Sequence, residues 1–200
     1  MIRTMYRFFG AFLYYLYNSF ITKVPIYSVR HAFLRYCFGI KVGKKSSVHM
    51  GCFITGRRIS IGDSTTINRR CYLDGRTGLK IGNCVSISPE VYILSLTHDL
   101  QDPKFDTVGK EVVIEDYVWI GARAMIMPGV TISRGCVVGA GSVLTKTFPP
   151  CSIVAGVPAK VIGQRNPDFR YQPIYFPYFD SDMANPSKTG ISTLADSSNK

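Results

Sequence analysis

The sequence predicts a mainly β protein: a solenoid of short strands and turns, with a helical segment before it and an irregular tail after it. Three observations carry that prediction. Between Val42 and Leu144, aliphatic residues recur six positions apart in five sets of three. Four residues after each, a second position keeps the same register with mostly small side chains. A polar stretch, "LTHDLQDPKFDTVGKEV", makes the one long interruption of the pattern.

The first set of hexads is Val42, Val48 and Ile54, followed by Ile61, Ile67, Leu73 and then Ile81, Ile87, Ile93. After the interruption come Ile114, Ile120, Ile126 and Ile132, Val138, Leu144. A helix would need spacings of three and four, and an amphipathic strand a spacing of two. A period of six suits coils that bury their apolar slots on the coils above and below. The small slot is expected at Ser46, Cys52, Thr65, Cys71, Thr77, Val85, Val91, Thr97, Val118, Ala124, Val130, Cys136 and Ser142, with Arg58 and Phe148 as exceptions. Cys52, Cys71 and Cys136 are thereby read as core. Gly43, Gly62, Gly82, Gly121 and Gly139, each directly after an aliphatic, are expected to serve turns with unusual backbone angles.

The organisation that follows is a helical segment over 1–40, a repeat domain over 41–163 with an inserted loop at 97–111, and an extension over 164–200, flexible from about 180. Residues 1–39 read as two helices broken at "VPIY". Phe8, Phe9, Phe12, Leu13, Leu16 and Tyr17 recur at helical spacing and form an apolar face. That face can cap the solenoid, as such arrays require. It can also make peripheral contact with a membrane, with Arg3, Arg7 and Lys23 toward acidic lipid; the two roles are compatible. In the extension, "FRYQPIYFPYF" is aromatic enough to dock onto a neighbour.

The net charge of +11 is uneven: before Asp63 there are ten Lys and Arg and no acid. Six cysteines lack C-x-x-C spacing. The apolar run "FFGAFLYYLY" is shorter than the ~20 residues that span a bilayer, and no cleavage site follows it. The expectation is a cytoplasmic protein with reduced thiols.

The hexads, and above all "IEDYVWIGARAMIMPGVTISRGCVVGAGSVLTKTFPPCSIVAGVPAKVI", resemble the left-handed β-helix, hexapeptide-repeat acyltransferases of the galactoside, maltose and polysaccharide O-acetyltransferase branch. The resemblance covers roughly residues 42–162. It implies a left-handed parallel β-helix, three hexads per coil, assembled as a homotrimer with active sites between neighbouring prisms. It implies acetyl-CoA as the co-substrate, no metal, and a sugar or polysaccharide acceptor.

The resemblance also implies roles for single residues. His98, at the base of the inserted loop, would be the general base, for which imidazole titrates near working pH. Asn68, Asp74 and Arg76 would contact the acceptor. Trp119, Ala140, Ser142, Thr145 and Lys146 would line the cofactor channel, and the Ala122 N–H would face the thioester oxygen. Lys160 would meet the 3′-phosphate end. Where relatives can carry a second arginine this chain has Gly163, so Arg165 is the substitute expected.

An N-acetyltransferase of an amino sugar nucleotide or a xenobiotic would share fold, donor and base, and stays open. A three-histidine zinc enzyme on the same prism fails, because His31 and His49 lie far from His98 in sequence. A nucleic-acid binder is not supported, since no recognisable module is present.

Overall fold

A computed structural model describes residues 2–181. Three parallel sheets form the walls of a solenoid of five coils and part of a sixth. The first face stacks Lys41–Val42, Ile59–Ile61, Leu79–Ile81, Val112–Ile114 and Thr131–Ile132. The second stacks Ser47–Val48, Thr66–Ile67, Ser86–Ile87, Trp119–Ile120, Val137–Val138 and Ser152–Gly156, against which Ala159–Gln164 folds back antiparallel. The third stacks Phe53–Thr55, Tyr72–Asp74, Tyr92–Ile93, Met125–Ile126 and Val143–Leu144.

The hexad register is the pairing register: Val42, Ile61, Ile81, Ile114 and Ile132 are successive partners on the first face. All fifteen hexad aliphatics are buried. Burying such a side chain stabilises the fold by roughly 1.5–3 kcal/mol relative to leaving it exposed.

The small slot has a polar function as well. Ser46 Oγ donates to the Gly62 carbonyl at 2.6 Å, and Thr65 Oγ1 to that of Gly82 at 2.8 Å. The thiols of Cys52, Cys71 and Cys136 point at the carbonyls of Asn68, Ser88 and Pro149 at 3.1, 3.3 and 3.1 Å. A short donor here satisfies a carbonyl of the next coil that would otherwise be stranded near the interior.

Three expectations are corrected. Thr97 is exposed on the inserted segment, outside the interior slot. The glycines after the hexad aliphatics do not adopt left-handed angles. They are needed because a Cβ at Gly43 would stand 2.3 Å from the Gly62 carbonyl oxygen, and one at Gly82 would stand 2.4 Å from Asp116 Oδ1. Left-handed backbone falls further into the turns, at Lys45, Ser64, Cys84 and Tyr117 on one corner and Arg70, Glu90 and Arg123 on the next. The inserted segment also has structure of its own: Leu96–His98 pairs antiparallel with Thr107–Gly109.

Helix α1 (Ile2–Ser19) and a second helix (Tyr27–Ala32), extended by a wider turn over Phe33–Cys37, close the first coil. The Asn18 side-chain amide pairs with both the N–H and the C=O of Ile54, each at 2.9 Å, as a neighbouring strand would. Thr22 Oγ1 donates to the Cys52 carbonyl at 2.9 Å, and the Val48 N–H donates to His31 Nε2 at 3.2 Å. The open edge of the first coil is thus covered by side chains from the helical segment.

The extension docks on its own prism. Phe169 stacks on Tyr117, Thr66 Oγ1 donates to the Pro173 carbonyl, and Tyr175 stacks on His49, so the chain runs back from the fifth coil to the first. It ends at the buried Asp180, whose carboxylate accepts from Tyr27 Oη at 2.9 Å and lies 2.6 Å from His49 Nδ1 and 3.3 Å from Arg30. Most of the stretch expected to be flexible lies outside the described residues.

Candidate active site

His98 sits where the third face turns into the first, the corner that collects every extra residue of the repeat. The step from the last aliphatic of one coil to the first of the next is seven residues after Ile54, eight after Leu73, twenty-one after Ile93 and six after Ile126. The base of the long insertion is anchored on the coil below. Asp74 is fully buried, and its Oδ2 accepts from the Ser95 N–H at 3.0 Å. Its two oxygens also take Arg76 Nε at 3.0 Å and Nη2 at 2.9 Å. Burial alone would raise the Asp74 pKa, but the Arg76 guanidinium and the surrounding N–H groups hold it below the usual carboxylate range. Thr77 adds two bonds, its N–H to Ser95 Oγ at 3.1 Å and its hydroxyl to the Ser95 carbonyl at 2.6 Å.

On that base the imidazole of His98 is exposed and oriented. Its ring stacks on Phe105, 4.2 Å between centroids and 7° between planes, and Nδ1 lies 2.9 Å from the Phe105 carbonyl oxygen. A carbonyl can only accept, so Nδ1 is the donor in this contact and Nε2 is the ring nitrogen not engaged by it. Asp99 caps the Gln101 N–H at 2.9 Å and is turned to the loop itself. Phe105 could not be identified from the sequence, because its role depends on how the hairpin folds.

Other expected residues gather along the corner between the second and third faces. From coil to coil it carries Asn68, then Pro89 and Glu90, then Ala122 and Arg123, then Ala140 and Gly141. Pro89, Glu90, Ala122, Arg123, Ala140 and Gly141 line an open depression of about 540 Å³. Among the described residues the Ala122 N–H donates to no acceptor, while its carbonyl takes the Gly141 N–H at 2.8 Å. Trp119 flanks this corner on the outer surface of the second face, half exposed, with Nε1 bonded to Ser88 Oγ at 3.2 Å. Lys160 is exposed on the final hairpin, paired in register with Ala155. Glu90 bridges Arg123 at 2.7 Å and Arg70 at 3.6 Å, an ionic rail absent from the sequence reading.

The remaining residues lie elsewhere. Ser142 is buried and its Oγ accepts from the Gly156 N–H at 3.2 Å, so it serves the fold of the corner. Thr145 and Lys146 are exposed at the third–first corner, with Lys146 over the Phe148 ring. Arg165 lies across the second face: its guanidinium donates to the carbonyls of Tyr117 and Gly135, bonds Tyr171 Oη and stacks on Phe169. Those contacts leave it committed to the chain itself. His98 and the Ala122 depression therefore stand on different corners, with the third face between them.

Coils, corners and an inserted histidine-bearing hairpin define a hexapeptide-repeat fold, and residues 111–146 match the family described as bacterial transferase hexapeptide (six repeats). The chain belongs to the hexapeptide-repeat acetyltransferase family. It is 32% identical over 135 residues to the Escherichia coli protein named "Putative colanic acid biosynthesis acetyltransferase WcaF", covering 67% of this chain and 74% of that one. A hexapeptide-repeat-containing acetyltransferase of Vibrio cholerae, solved with acetyl coenzyme A, superimposes with a TM-score of 0.69 at 32% identity, over 78% of this chain and 85% of that one. A galactoside acetyltransferase solved with coenzyme A gives a TM-score of 0.69 at 30% identity, over 80% of each chain. For several other curated relatives the chain spans about half their length, 58% for the galactoside O-acetyltransferase of Escherichia coli.

Proposed function

We propose that this protein transfers acetyl from acetyl-CoA to a hydroxyl of a sugar or surface polysaccharide, with His98 as general base. The observation that carries the reading is the placement of His98, exposed on its hairpin with Nδ1 2.9 Å from the Phe105 carbonyl oxygen, a contact that engages Nδ1–H and leaves Nε2 to take a proton. The acceptor hydroxyl gives its proton to Nε2 as its oxygen attacks the thioester carbon. The new C–O bond forms, the C–S bond breaks, and the departing thiolate takes the proton back from the imidazolium. General-base assistance of this kind supplies about 10²–10⁴-fold. The unpaired Ala122 N–H is available to the oxygen that becomes negative. The small side chains of Ala122 and Ala140 leave room along the corner for a thin pantetheine arm, flanked by Trp119, with Lys160 toward the phosphate end. Asn68 lies on the same corner, where an acceptor would approach.

The separation of the two groups calls for more than one copy. The outer surface of the third face carries Phe53, Tyr72, Tyr92, Met125 and Val143, an aromatic and aliphatic row without a charged side chain. The Phe53, Tyr72 and Tyr92 rings stack on one another at 5.2 and 5.9 Å, so they offer edges to a flat partner. The first face instead presents Lys41, Ser60, Lys80, Val113 and Thr131, and the second is crossed by the extension. Packing third faces about a three-fold axis brings the His98 hairpin of one copy to the Ala122 corner of the next. The reading is a homotrimer with sites between subunits.

The test is transfer of labelled acetyl to a panel of glycans and amino sugars, followed by mild alkali. Label released by alkali marks an ester and supports the reading. Label retained marks an amide and would replace it with N-acetyl transfer.

A further inference from the structure

Helix α1 exposes more apolar surface than a cap requires. Only its second half meets the prism, through Leu13, Tyr14, the buried Tyr17 and Asn18. On the outward side Met5, Phe8, Phe12 and Tyr15 recur at i, i+3, i+7 and i+10, with Phe9 beside them; Phe8 is 69% and Phe9 56% exposed. Phe20 extends the stripe, edge-on to Tyr15 at 5.7 Å. Exposed aromatic surface on this scale marks a contact with something else.

The charges around it specify the partner. Arg7, Lys23, Arg35, Lys41, Lys44, Lys45, Arg57 and Arg58 are exposed, and the chain carries no acid before Asp63. Arg57 lies 5.9 Å from the Phe38 ring, which in turn stacks on Tyr14 of α1, so the cations at the third–first corner adjoin the helix. The acids that reach this end are already engaged: Asp63 caps the Lys44 N–H, Glu111 pairs with Lys80, and Asp180 is buried. No described helix is long and apolar enough to cross a membrane. Aromatic residues on one side of a helix with cations at its flank fit the interfacial zone of a bilayer, where the apolar face sinks about 5–10 Å.

We infer that the outward stripe of α1, Met5–Phe8–Phe12–Tyr15, docks this protein on an anionic phospholipid surface, with Arg57 and Arg58 contacting the headgroups. The helix, roughly 27 Å long at ~1.5 Å per residue, lies along the surface. This inference does not depend on the acetyl-transfer reading. The test is flotation of the full chain with vesicles of phosphatidylcholine alone and of phosphatidylcholine mixed with phosphatidylglycerol, at low and high salt. The expected result is flotation with the anionic vesicles, weakened by salt. Phe8→Ser/Phe12→Ser should lower that binding by about tenfold or more, the loss expected for ~1.4 kcal/mol or more of apolar insertion. Arg57→Gln/Arg58→Gln should lower it for the anionic vesicles. Light scattering of the same variants should give the wild-type mass. Flotation with neither vesicle, equal flotation with both, or full binding by the Phe8→Ser/Phe12→Ser variant would overturn the inference. So would a drop in mass in that variant, because the stripe would then belong to contacts between copies.

Discussion

The Asp74 carboxylate accepts a hydrogen bond from the Ser95 N–H at 3.0 Å, three residues before His98. It thereby fixes the hairpin to the coil beneath, while Arg76 neutralises it. Asp74 is in this geometry a positioning residue. Asp74→Asn keeps the shape but loses the charge that holds Arg76. Misplacing a catalytic group by ~1 Å can cost about 10²-fold. The expected outcome is a fall of roughly 10–100-fold in kcat with the KM for acetyl-CoA little changed. A steady-state comparison with wild type checks this, and a change confined to acceptor KM would assign Asp74 to acceptor binding.

His98→Ala should keep assembly and donor affinity and lose about 10²–10⁴-fold in turnover. Calorimetry with acetyl-CoA alongside the rate measurement separates the two effects. Near-full activity would remove His98 as the base.

Lys160→Ala should weaken acetyl-CoA binding and leave dephospho-coenzyme A almost unaffected, since a charge-assisted contact to the 3′-phosphate is worth about 1.5–3 kcal/mol. Equal losses for the two ligands would contradict that contact.

The third face gives a prediction about assembly. Tyr92→Glu puts a charge on the central strand of the third face, at the end of the ring stack, where burial without a partner is costly. Mass by light scattering should fall from trimer to monomer with the circular dichroism of the prism unchanged. A monomeric wild type would dispose of the shared-site arrangement.

Acid should loosen the helical cap and the docked extension first. Burial, then the charges of Arg35 and Arg30 and of neighbouring His49, lower the His31 pKa to about 4 from 6.5. The unfolded chain therefore binds more protons between those values, and stability falls as pH drops through that window, by up to roughly 3 kcal/mol. Asp180 acts in the same direction at lower pH: burial opposes its ionisation, but His49, Tyr27 and the Met50 N–H hold its pKa below the usual range. Thermal melts from pH 7 to pH 4 should show a falling Tm, and His31→Gln should flatten the upper part of that fall. A Tm constant over this range would refute the assignment.

How much of this was legible in the sequence differs from residue to residue. The fifteen aliphatics were readable because a solenoid repeats one environment, so Ile120 and Leu144 meet the same demand as Val42. Cys52, Cys71 and Cys136 were readable as core for the same reason. The glycine role was misjudged because period alone cannot separate a forbidden angle from a crowded neighbour: Gly43 is small for the sake of Gly62, nineteen residues away. The partners Phe105 and Ser95 could not be read, because the hairpin follows no repeat. Nor could the placement of Arg165: its bonds to Tyr117 and Gly135 arise from how the extension folds back on the second face.

That extension changes how the molecule can come apart. A linear stack of coils ordinarily peels from either end, each coil depending only on its neighbours. Here Asp180 lies against Arg30 and His49 of the first coil and its cap, while Arg165 grips the fourth and fifth coils. The beginning and the end of the array are tied into a closed circuit, so neither the first coil nor the last is free to fray alone. Unravelling must then begin by untying Asp180, and the coils should be lost together in one cooperative step.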